Sequence, residues 1–247
     1  MKKLILILLF CLLIIQCSCF SPQNRSIHDA ADNFDFERVQ LLVKENPELV
    51  FTCKDKYNWT PLHRLAGAGH KRIFGRILLK KHAIPEFSAE QSRKAVETAR
   101  ILISSGADVN AKTKDGWTAL SLASGRGTNE LVVLLLEEGA DIEAGDENLA
   151  ISPLRAAVIN NRLETARILI ENGVDVNRAD LEYGKTPLHL AMENKNKDMI
   201  DLLLKAGANP YLADQNGVTV VSSADENHNR EISQLIEKNK NNGKGNN

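Results

Sequence analysis

Three histidines are the first residues here that could do chemistry. His28, His63 and His189 stand at the same place in three similar stretches, and imidazole is a common zinc ligand. A zinc site, however, needs three or four converging ligands, and these copies are separated by whole structural units. A scaffold role in hydrogen bonding fits them better. His70 and His82 have no Cys or His beside them, and Cys17-Ser18-Cys19 lacks the further ligands a metal needs. Gly184-Lys185-Thr186 matches the end of a phosphate loop, but Ala179 stands where that loop requires its first glycine. Gly67-Ala68-Gly69 and Gly125-Arg126-Gly127 do not complete G-x-G-x-x-G. There is no G-x-S-x-G elbow and no H-E-x-x-H pair. Acidic pairs such as Glu137-Glu138 read as solvated faces. The expectation is therefore no catalytic residue, no metal, no cofactor and no enzyme.

Composition bounds the class of the chain. The 247 residues are 43% hydrophobic and 26% charged, which suits a soluble, helix-rich globular chain and is too apolar for disorder. Formal charge is −1, from 31 basic and 32 acidic residues, which argues against nucleic acid as the partner. The N-terminus differs in kind. Lys2-Lys3 precede the apolar run Leu4 to Ile15, and Gln16-Cys17-Ser18-Cys19 follows. A basic start, a short apolar run and small exit residues describe a secretory signal peptide over 1–20. Cleavage near Cys19 would free the chain. Alternatively, Ile14-Ile15-Gln16-Cys17 resembles a loose bacterial lipobox, whose cysteine, Cys17, would be lipidated. Only Cys53 lies in the body of the chain, so no disulfide framework forms there.

The elements that would position any surface are repeated. Glu97-Thr98-Ala99-Arg100-Ile101-Leu102-Ile103 recurs as Glu164-Thr165-Ala166-Arg167-Ile168-Leu169-Ile170. The starts Thr118, Ser152, Thr186 and Thr219 are spaced by 34, 34 and 33 residues. Thr186-Pro187-Leu188-His189-Leu190-Ala191 and Thr60-Pro61-Leu62-His63 carry the T-P-L-H-x-A signature, so the chain resembles the ankyrin-repeat family. The resemblance implies an all-α solenoid of about six helix-turn-helix repeats with short hairpin-like finger loops. Thr caps each first helix and Pro occupies its first turn. Gly139, Gly173 and Gly207 fall where second helices must end in a left-handed turn.

The repeats are expected over 25–238, approximately as 25–53, 54–111, 112–145, 146–179, 180–212 and 213–238. A tail over 239–247 is expected to be frayed. The second unit is 25 residues too long, with the excess near 71–95. That insert carries seven basic residues against Glu86 and Glu90, and Ser88-Ala89-Glu90-Gln91 reads as a capping box opening a helix. Either 70–81 or 96–104 could take the regular second-helix place. The insert is either a plain extension or a basic contact surface for an acidic partner or an anionic membrane.

What remains is surface. The resemblance places binding at finger tips and the exposed side of first helices, where this chain carries Tyr57, Trp59, Lys112, Lys114, Trp117, Arg155, Glu182, Tyr183, Lys185, Glu193 and Tyr211. Aromatic residues and Arg dominate interface energies. The expected protein is a monomeric, exported scaffold in a bacterial envelope or periplasm that binds another protein. Membrane contact is expected only through a lipid at Cys17 or through the insert. A secreted effector binding host proteins, and a protective partner of a toxin or envelope enzyme, are alternatives.

Overall fold

The computed structural model describes residues 22–68, 88–145, 152–226 and 230–242. The expected signal segment and most of the expected insert lie outside those residues. The described chain is helical, with one isolated bridge between Ala213 and Thr219 and no strand.

Six helix pairs follow one another. They are α1 (Pro22–Asp32) with α2 (Phe36–Glu45), α4 (Pro61–Ala66) with α5 (Ala89–Ser104), and α6 (Ala119–Arg126) with α7 (Asn129–Glu137). Then come α8 (Pro153–Ile159) with α9 (Leu163–Glu171), α10 (Pro187–Glu193) with α11 (Lys197–Lys205), and α12 (Val220–Glu226) with α13 (Arg230–Asn242). A single turn, α3 (Leu49–Thr52), stands between the first two pairs. First helices stack on first helices and second on second, giving two layers.

Local sequence explains each unit. The Thr118 hydroxyl accepts the Ser121 N–H at 3.1 Å, capping α6, and Pro fills the first turn of α4, α8 and α10, where a missing N–H costs nothing. Second helices bury one stripe, as Leu131, Val132, Leu134 and Leu135 do in α7. They end at Gly139, Gly173 and Gly207 with φ of 84°, 85° and 90°, as the sequence predicts. One apolar core then runs unbroken from Ile27 to Ile236, since no single pair could bury its own face.

The second unit resolves the choice between 70–81 and 96–104. Helix α5 packs between α2 and α7, so 96–104 takes the regular place. The helix opens at Ser88, whose backbone N–H donates to Gln91 Oε1 at 2.9 Å. Residues 89–95, expected in the insert, are therefore helix, and Ala95 is buried. At the other end α13 continues to Asn242, beyond the boundary expected at 238.

Polar side chains also join the units. The Asn110 amide donates to Gly139 O at 3.1 Å and accepts the Asp141 N–H at 2.7 Å. Asn177 repeats this with Gly207 O and the Asn209 N–H. Glu143 fills the same place between them and accepts the Asp175 N–H at 2.7 Å.

Candidate interaction surface

Each of the four described fingers is stiffened by hydrogen bonds within itself. Asp55 accepts the backbone N–H groups of Tyr57 and Trp59 at 2.8 and 2.9 Å. Asp214 accepts those of Asn216 and Val218 at 2.8 and 3.0 Å. Thr113 accepts the Trp117 N–H at 3.0 Å, and Asp180 accepts that of Tyr183. Such side-chain mimicry of a turn is what Asp and Thr do well. Asn58, at φ 61°, fills the place held by Gly116, Gly184 and Gly217 in the other fingers, a conformation Asn tolerates better than most residues. Neighbouring tips are linked through the backbone: the Lys114 N–H donates to Tyr57 O at 3.0 Å and the Gln215 N–H to Tyr183 O at 2.9 Å.

First helices hold the next finger from below. His63 Nδ1 accepts the Thr60 N–H, and its Nε2–H donates to Ala111 O and Trp117 O at 3.0 and 3.1 Å. His189 reaches Val218 O in the same way at 3.1 Å. These contacts assign the histidines to the scaffold, and burial pushes the His63 imidazole down to about 4. Burial, reinforced by Arg64, also lowers His28. No group of three or more His, Cys, Asp or Glu that could hold a metal occurs among the described residues.

The residues singled out from sequence divide into exposed and buried. Tyr57, Lys112, Lys114, Glu182, Tyr183, Glu193 and Tyr211 are exposed, and Trp117 and Lys185 are half-buried. Tyr57 and Lys114 lie together across the linked tips. Tyr183 and Lys185 share one finger, the ammonium 5.8 Å from the ring centroid, and Lys185 pairs with Glu193.

Two residues expected on the surface are not available there. Trp59 is 7% exposed, wedged against Gly67 with the Arg64 guanidinium 5.4 Å from its ring. Arg155 is also 7% exposed, because its long side chain turns inward to the next finger.

Sequence reasoning missed Lys54 and Lys56, both exposed beside Tyr57, and Leu181, which is 59% exposed. The charges flanking the finger turn could have pointed to the lysines. The signal for Leu181 was the length of its finger: Asp180 to Thr186 spans one residue more than Asp55 to Thr60, Thr113 to Thr118 or Asp214 to Thr219.

Comparison with known proteins agrees with this geometry. A profile described as ankyrin repeats in three copies matches residues 27–146 and 87–180, and a single ankyrin-repeat profile matches 183–215. Over 109 residues, 41% of this chain and 15% of the relative, the chain is 33% identical to the human mitochondrial disaggregase. It is 43% identical to the mouse B-cell lymphoma 3 protein homolog over 65 residues, 26% of this chain and 14% of that one. It is 50% identical to the human B-cell lymphoma 3 protein over 56 residues, 23% and 12% of the two chains. The chain thus spans a small part of the relatives it matches.

Proposed function

The chain belongs to the ankyrin-repeat family, and we propose that it is a non-enzymatic scaffold that binds another protein outside the cytoplasm. Ankyrin repeats are protein–protein interaction modules. The observation that carries the reading for this chain is two linked pairs of finger tips, one bearing exposed Tyr57 and Lys114 and the other exposed Tyr183. Surface held by internal hydrogen bonds loses little entropy on binding, and exposed Tyr is a frequent anchor. The basic start and apolar run at 2–15 support export. No helix among the described residues is long and apolar enough to cross a membrane.

Affinity capture with the tagged full-length chain from its own host tests the binding reading, with Trp117→Ala and Tyr183→Ala in the control. A protein retained by the parent and lost with the control supports it. Recovery of the chain only from the cytosolic fraction would remove the location.

A further inference from the structure

We propose that the paired tips of the second- and third-unit fingers recognise an acidic, extended polypeptide segment through Lys54, Lys56, Lys112 and Lys114. This rests on the scaffold reading above and specifies the partner's chemistry at one part of that surface.

Charge is unevenly placed along the finger row. On the loops 54–60 and 112–118, Asp55 pairs with Arg64 at 2.6 Å, leaving four lysines against the carboxylate of Asp115. All four are exposed, and none stands in an ion pair among the described residues. The loops that carry them are stiff, since Asp55 and Thr113 tie down the backbone and the Lys114 N–H bonds Tyr57 O. Lys56 lies 4.9 Å from the Tyr57 ring centroid, and half-buried Trp117 stands in the same two-finger group. The two linked tips thus carry four cations and two aromatic side chains, the Lys112 ammonium also donating to Gly145 O at 3.3 Å.

Farther along, the sign changes. On the corresponding described loops 180–186 and 213–219, Asp180 pairs with Arg155 and Lys185 with Glu193, which leaves Glu182 and Asp214. Helices in such a stack lie about 8–10 Å apart, and the acidic loops of the fifth and sixth units stand two to four units from the basic ones. A broad anionic sheet such as a membrane would bring the acidic loops against like charge. A narrow strand spanning two tips would not. A polyproline-II segment advances about 3.1 Å per residue with three residues per turn, so carboxylates three residues apart lie on one side and span about 9 Å, the step from one tip to the next.

Fluorescence anisotropy with the full-length chain tests this. The probes are a short labelled peptide with Asp or Glu at every third position, its Asn/Gln counterpart, and phosphatidylcholine vesicles with and without phosphatidylserine. The acidic peptide should bind, the amide peptide should not, and affinity should fall as salt rises. Lys54→Glu, Lys56→Glu, Lys112→Glu and Lys114→Glu together should weaken binding about tenfold or more, whereas the four Lys→Arg changes should preserve it. Should the reversed variant lose its circular-dichroism signal, Lys→Gln pairs on each finger take its place. The proposal is overturned by equal binding of the acidic and amide peptides, by indifference to charge reversal, or by anionic vesicles binding where the peptide does not. A protein partner still captured through Tyr183 alongside any of those results leaves the scaffold standing and removes only this inference.

Discussion

Arg155 and Asp180 form an ion pair at 2.9 Å between side chains that are 8% and 0% exposed. Arg155 Nη1 also donates to Lys185 O at 2.6 Å, the carbonyl equivalent to those that His63 and His189 reach in their next fingers. Arginine thus takes over the histidine's task in the fourth unit and adds a charge pair. Removing one partner of a buried pair strands the other and costs about 3–5 kcal/mol. Arg155→Ala should lower stability by that order in urea titration. Arg155→His, whose ring can reach the same carbonyl but which leaves Asp180 without its guanidinium, should recover only a small part of that loss.

Gly184 has φ 67°, and a Cβ there would meet the Gln215 backbone nitrogen at 3.0 Å. At Gly139, with φ 84°, a Cβ would meet nothing within 4 Å. A left-handed alanine costs about 1–2 kcal/mol by itself. Gly139→Ala should show roughly that loss, and Gly184→Ala more, because backbone must move and the Gln215–Tyr183 link with it. Chemical denaturation of the two variants side by side decides this.

His63 should make stability depend on pH. Its folded value of about 4 lies below the usual value of 6.5, so the unfolded chain binds more protons between those two values. Stability is then full above about pH 6.5 and falls as pH drops towards 4, by on the order of 3 kcal/mol for this one group. The geometry agrees, because Nδ1 accepts the Thr60 N–H and cannot also carry a proton. His63→Ser, which copies the Thr118–Ser121 cap of the third unit, should flatten the slope between pH 7 and 5. Urea titrations at the two pH values measure it.

Much of this was legible in the sequence because the relevant forces are local. Thr118 and its Ser121 partner, or Gly139 at a helix end, announce themselves within a few residues. Ser88 and Gln91 likewise marked the start of α5. The fate of Arg155 was not legible: its partner, Asp180, is 25 positions away (155 to 180), and only packing decides whether a long cation faces water or the next finger. Trp59 and Trp117 occupy equivalent places before the cap residue, yet one is buried and the other half-exposed. Both units carry a glycine at the next turn, Gly67 and Gly125, but the Arg64 guanidinium lies over the first ring, and Leu122 stands in its place in the third unit.

That difference is itself measurable. Trp59→Ala removes a buried ring and should cost about 3–5 kcal/mol. Trp117→Ala should cost distinctly less, since its ring already shares its surface with solvent. Equal losses in thermal unfolding would contradict the assignment of Trp59 to the scaffold alone.

The most direct test is the affinity of the captured protein for the parent chain and for a Tyr57→Ala, Tyr183→Ala variant, by titration calorimetry, with unfolding temperatures alongside. The scaffold reading predicts that the two finger changes together weaken binding by about 2 kcal/mol or more while the unfolding temperature stays near the parent's. Unchanged affinity in a fully folded variant would contradict it and move the binding surface off the fingers.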